Sequence, residues 1–206
     1  CLIIFLTFHC CMNVAAFFSK DAYNMVCEFL GSHWYAVAGT AGLAFLAVCH
    51  IVYAFILTAQ NRRARGPQRY EVTSRRSEVS WASQNMLVLG LIILVGLLLH
   101  LYNFWGHMQF AELAHIEFAY GPADGFAWIV YTFSNPVFSI LYLIWICALW
   151  FHLTHGFWSA MHTLGMSGKI WMQRWQCFGM VYVTILMAVF VILILSFWLG
   201  FAPSMC

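Results

Sequence analysis

Four of the nine histidines in this chain stand where a histidine is expensive: His9, His50, His100 and His152 each lie in a different strongly apolar stretch. An imidazole in hydrocarbon with no partner is costly, and ionisable residues at membrane depth are functional by default. Neutral imidazole is a good iron ligand, and haem iron takes ligands from both faces of the porphyrin. One histidine from each of two helices therefore clamps a flat porphyrin between them, and four histidines on four helices hold two such groups if they fall at two shared depths. The competing reading is that each ring hydrogen-bonds a neighbouring backbone or serine group. It is an even match for a single histidine and a poorer one for four at paired depths.

The elements that must carry these rings follow from composition. Of the 206 residues, 64% are hydrophobic and 8% charged, against about 25% charged in soluble domains. An ordinary soluble domain is excluded, and a polytopic all-α membrane protein is expected. Five apolar segments stand out, at about residues 1–18, 33–60, 84–105, 136–164 and 175–199. Each is read as a transmembrane helix of one bundle, about 20 apolar residues being enough to span. The chain opens at Cys1 inside an apolar run, so it is read as lacking its true N-terminus, and no signal peptide can be judged. Asn135-Pro136 is an N-cap with proline at the first helical position, Ser83 can cap the third segment, and Gly66 and Gly165 stand at expected C-caps. The connection 106–134 is the longest and is a candidate for a short surface helix. None of the eight cysteines forms a CxxC pair, so neither a disulfide framework nor a cysteine metal site is expected.

Charge placement orients the bundle. Arg62, Arg63, Arg65, Arg69, Arg75 and Arg76 fall between segments two and three, and Lys169 and Arg174 fall between four and five. These connections belong in the cytoplasm by the positive-inside rule. The other connections carry the acids Asp21, Glu28, Glu112, Glu117 and Asp124 with Lys20 as their one base, so they face outward. Depth can then be counted. His9 lies about nine residues, roughly 14 Å, below the outer end of its helix, and His100 about five residues below its own. His50 and His152 lie about 17 and 16 residues in from the outer side, roughly 25 Å. The outer level therefore pairs His9 with His100, and the inner level pairs His50 with His152. Gly39, Thr40, Ala41 and Gly42 on segment two, with Gly90 and Gly96 on segment three, allow close approach of backbones or of a porphyrin face. Trp34, Tyr35, Trp81 and Trp105 are placed as interface-belt residues.

The run from His152 to Gly165, HLTHGFWSAMHTLG, resembles helix four of the cytochrome b subunit of succinate dehydrogenase and fumarate reductase (respiratory complex II). The stretches HCCMN from His9, WASQNMLVLG from Trp81 and YTFSNP from Tyr131 resemble the single-chain, five-helix, di-haem type, so that the resemblance covers essentially the whole chain. It implies two haems b, with His50 and His152 on the inner iron and His9 and His100 on the outer. His155 is the rival to His152; the family's spacing of ligand and a glycine four residues later selects His152 with Gly156. Some relatives carry an arginine three residues after that glycine, where this chain has Ser159. The propionate contact then falls to His162 or to arginines such as Arg62 and Arg63. A relative has an acid two residues before the helix-four ligand, proposed to carry protons. Here that residue is Trp150, which puts a proton route there in doubt.

The resemblance further implies a flavoprotein subunit and an iron–sulfur subunit docked on the cytoplasmic face, with FAD and the iron–sulfur clusters in those partners and a membrane quinone, menaquinone by preference, as electron partner. The arginine-rich loop is a candidate dock, although the positive-inside signal alone accounts for most of it. Glu28 is a candidate quinone proton group against the plainer reading of a solvated surface acid, and Ser159 and His162 are the polar residues nearest the inner level. The expected setting is the bacterial inner membrane, with lipid contacts, no nucleic acid, and dimers of the whole complex as an open arrangement. Two rival readings remain: the haem b anchor of a formate dehydrogenase or hydrogenase, and a haem-free transporter or structural membrane protein.

Overall fold

Backbone in hydrocarbon must satisfy its own hydrogen bonds, and long continuous apolar runs do so as helices. A computed structural model describes residues 1–31, 33–66 and 81–201. It contains α1 (Leu2–Asn13), continued by a 3-10 turn (Val14–Phe17), α2 (Lys20–Gly31), α3 (Trp34–Arg65), α4 (Trp81–Gln84), α5 (Met86–His100), continued by a π-turn (Leu101–Trp105), α6 (Gln109–Ala114), α7 (Gly125–Phe133), α8 (Pro136–Thr163) and α9 (Lys169–Trp198). No strand occurs among the described residues. Among the described residues, four helices are long and apolar enough to cross a membrane: α3, α5 with its π-turn, α8 and α9. The remaining apolar helix, Leu2–Phe17, is shorter, so five full spans are not seen.

Several ends differ from the sequence expectation. The apolar run of α3 stops at Gln60, but the helix continues to Arg65 and ends on Gly66 at φ 72°, the expected C-cap, while α9 begins at Lys169 rather than Trp175. Arginine and lysine are good helix formers and can carry their charge beyond an apolar boundary on long stems, so hydrophobicity stops before the helix does. Residues 20–31, read as loop, form α2, whose start is fixed by Ser19 Oγ accepting from the Ala22 N–H at 3.0 Å. Ser83 lies inside α4, and Asn85 takes the N-cap position of α5. Asn135 caps α8 as expected, accepting from the Val137 N–H at 2.9 Å with Pro136 at the first position. Gly165 adopts φ 79°, and the following Met166 N–H reaches back to the Met161 carbonyl at 3.0 Å, closing α8 with a left-handed turn that suits glycine. In the connection expected to carry a surface helix, α6 and α7 form, and α7 is an interior element with Phe126, Ile129 and Phe133 buried. Arg69, Arg75 and Arg76 and the C-terminal residues 202–206 lie outside the described residues.

The core runs along α7, α8 and α9 and takes in Cys10 and Ala16 from the first helix. Two glycines set the closeness of this packing. A Cβ on Gly179 of α9 would stand 2.6 Å from Phe157 Cδ1 of α8, and one on Gly96 of α5 would run into the Trp145 indole of α8. Helix α3 behaves differently. It has no buried residue, and its backbone approaches α1 and α2, while α5 packs on α8 and α8 on α9. A polar tie near its N-terminal end, Thr40 Oγ1 donating to Gln109 Oε1 at 2.7 Å, also secures α3. One end of the bundle is thus covered by α2, α6 and α7 (the cap end), and the other carries Arg62, Arg63 and Arg65 and the α8–α9 turn (the arginine end).

Candidate functional site

Each imidazole is delivered by a helix whose register the apolar run dictates. His9 sits in the last turns of α1, and His100 is the final residue of α5. Their ring centres lie 5.7 Å apart with planes at 87°. At the other level His50 of α3 faces His152 of α8, ring centres 6.1 Å apart and planes at 81°. The histidines grouped by counting residues from the membrane edge are the ones whose rings meet. The levels are separated along α8. Trp145 lies 5.5 Å from the His100 ring, and His152 follows two helical turns later, roughly 10 Å along the axis.

The cap-end pair is enclosed by aromatic rings. Phe5 stacks on His9 at 5.6 Å and Phe190 lies at 5.9 Å. His100 has Phe104 at 5.2 Å and Tyr142 at 6.2 Å on its other sides. Trp145 is held in place by donating its indole N–H to the Ile93 carbonyl at 3.0 Å, and Tyr142 accepts from Asn103 Nδ2 at 3.3 Å. Asn103 belongs to the π-turn that directly follows His100, marked by the Gly106 N–H on the Leu101 carbonyl at 2.7 Å; such insertions recur at functional sites.

These features can be tested against a metal-centred planar group. Metal–imidazole bonds are about 2 Å long and a ring centre lies about 1 Å beyond its nitrogen, so imidazoles on opposite faces of one metal put their centres about 6 Å apart, as both pairs do. The Nδ1 atoms of His100 and His152 are buried without a hydrogen-bond partner among the described residues, while His9 Nε2 lies 3.4 Å from Asn13 Nδ2. Glycines on α3, α5 and α8 leave room beside the two levels. A Cβ built on Gly39, Gly42, Gly90 or Gly156 meets nothing within 4 Å, so these glycines border open space, whereas Gly96 serves helix packing. The residues present fit two such groups. No family model, curated protein or solved structure matches the chain. The chemistry of the site therefore rests on its own residues.

The other sequence candidates lie apart from the two ring pairs. His155 turns its ring toward Trp158 at 4.7 Å with Nδ1 buried and unpartnered, while the ring facing His50 is that of His152. Gly156 is half-buried on α8, Ser159 is half-buried, and His162 is exposed in the last turn, roughly 10 and 15 Å beyond His152 along the helix for the last two. Arg62 and Arg63 are exposed at the end of α3, roughly 18 Å beyond His50. Glu28 is exposed on α2. Trp150, at the position where a relative carries an acid, donates its indole N–H to Thr184 Oγ1 of α9 at 2.9 Å and so ties two helices. Sequence reasoning missed Trp145, Tyr142, Asn103, Asn13 and Tyr23; the one readable hint was Gly96, a small residue demanding a large neighbour.

That packing gives a prediction. Gly96→Ala drives a methyl into the Trp145 ring and destabilises the protein by about 1–3 kcal/mol, as overpacking does. Gly121→Ala, exposed in a loop and meeting nothing within 4 Å, stays within about 0.5 kcal/mol of wild type. Unfolding midpoints in detergent decide it; equal midpoints for the two variants would show that Trp145 moves aside freely.

Proposed function

We propose that this chain is the di-haem cytochrome b membrane anchor of a succinate:quinone oxidoreductase, the family that its helix-four run resembles. The observation that carries the reading is the meeting of His9 with His100 and of His50 with His152 at two levels of an apolar helical bundle. In this reading Leu2–Phe17 counts as the first of five spans. The arginine end is cytoplasmic, and the flavoprotein and iron–sulfur partners dock there.

His50 and His152 hold the haem nearer the cytoplasm, and His9 and His100 hold the outer one. Bound haem supplies a one-electron relay whose potential is set by its axial ligands, their hydrogen bonds and burial. The protein's work is to keep each imidazole pair facing across a fixed gap, to exclude water with Phe5, Phe104, Trp145 and Phe190, and to place two levels within one membrane thickness. Haems held at these two levels would supply one-electron centres between the iron–sulfur partner and a membrane quinone, menaquinone by preference. Glu28, exposed at the cap end, is the candidate carboxylate for quinone-linked proton exchange on the outer side.

The substrate assignment is tested on the native assembly purified from its membrane. Succinate is expected to reduce the b-type absorption bands and fumarate to reoxidise them after reduction. Bands that ignore both and respond to formate or hydrogen would move the chain to another respiratory enzyme.

A further inference from the structure

Tyr23 is the buried residue of α2, and its hydroxyl points at the first imidazole level rather than at water. It donates to Asn13 Oδ1 at 3.0 Å. Asn13 Nδ2 in turn donates to the backbone carbonyl of His9 at 2.8 Å and lies 3.4 Å from the His9 ring nitrogen. Asn13 is the last residue of α1, where the helix tightens into the 3-10 turn. The Asn13 side chain thus reaches back one turn, from position i to the carbonyl at i−4, and braces the turn that carries His9. Orientation of the amide is fixed from outside, because Tyr23 occupies its oxygen.

The base of this chain is rigid. Asn24 Nδ2 donates to Asp124 Oδ1 at 2.8 Å, and Asn24 Oδ1 accepts from the Phe126 N–H at 2.9 Å. Gly125 permits the contact, since a Cβ there would run into Cys27 Sγ and stand 3.1 Å from Tyr23 Cε1. Burial pushes the Cys27 thiol up to about 11 and holds the Tyr23 phenol well above its usual range, so both remain protonated at neutral pH, and the Tyr23 hydroxyl remains a donor.

We infer that Tyr23 and Asn13 are positioning residues for His9, through which the α2–α7 cap fixes the ring that faces His100. The inference deepens the haem reading and rests on it. Hydrogen-bonded supports of metal ligands change affinity by about 10–100-fold when removed. The test measures transfer of haem from the purified, fully loaded complex to excess apomyoglobin, followed optically, with the outer haem identified as the one absent from His100→Ala. In Tyr23→Phe the outer haem is expected to leave about tenfold faster or more, with the inner one unchanged. Asn13→Asp, which keeps an acceptor for Tyr23 and loses the donor to His9, is expected to do the same. Met25→Ala, on the exposed face of α2, keeps the chain to His9 and its base on α7 and should leave both rates near wild type. Unchanged outer release in Tyr23→Phe, or equal acceleration in Met25→Ala, would overturn the inference while leaving the haem reading standing. A wild-type protein without haem would overturn both.

Discussion

On the proposed reading, His50→Ala is expected to lose the inner haem and to carry at most one haem per chain instead of two, with the outer haem partly retained. The expectation follows from the arrangement of α3. This helix buries none of its own residues and meets the α8 level through the His50 ring, 6.1 Å from His152. Removing that ring removes one of two axial ligands in a hydrocarbon setting, with no second imidazole on α3 to replace it. His9 and His100 are carried by other helices and keep their own contact. The complementary variant separates the two histidines of α8: His155→Ala retains both haems, because its ring faces Trp158, while His152→Ala behaves as His50→Ala. Haem per chain, measured by pyridine haemochrome against protein, reads all three. Survival of both haems in His50→Ala would show that the pairing is wrong.

The second large effect lies at the arginine end. Arg62, Arg63 and Arg65 sit in the last turn of α3, exposed and past the apolar boundary. Lys169 and Arg174 begin α9 on the same end, with the Arg174 guanidinium 5.2 Å from the Trp171 ring centre. Basic side chains near a helix C-terminus are favourable locally, yet three exposed arginines in one turn repel each other, which an acidic partner surface would relieve. Reversing all three to glutamate is expected to strip the flavoprotein and iron–sulfur subunits from the anchor in a pull-down at low salt. Wild type should hold them at low salt and lose grip as ionic strength rises. Haem content in the variant stays at the wild-type level, because the substitutions lie roughly 18 Å from His50. Full retention of the soluble subunits would reduce the arginines to a topology signal.

Much of the candidate site was legible because its two governing quantities are one-dimensional. Helix rise is constant, so depth in a span is a residue count, and His9, His100, His50 and His152 could be grouped before any coordinates existed. Asn135-Pro136 and Gly165 were legible for a similar reason, since each is a local backbone requirement met by a local residue type. What could not be read was lateral. The sequence does not say which flank of α8 meets α5, so Trp145 beside His100 and Tyr142 beneath it were invisible, and of the two only Trp145 had even an indirect trace, in Gly96. Hydropathy also misplaced the start of α9, because it tracks the apolar boundary while lysine and arginine continue the helix beyond it; at the end of α3 the same overhang was marked by Gly66. The α2 helix was missed for want of a long apolar run; its signals were a capping serine, Ser19, and the spacing of Tyr23 and Cys27 on one face.

The central claim is that four histidines in two facing pairs hold two haems, and the most direct measurement is the haem-to-chain ratio of the native protein with its low-spin ferric signals. Two haems per chain, giving two distinct bis-imidazole signals, is the expected result. A colourless protein, or a single haem lost equally on replacing any of the four histidines, would contradict it.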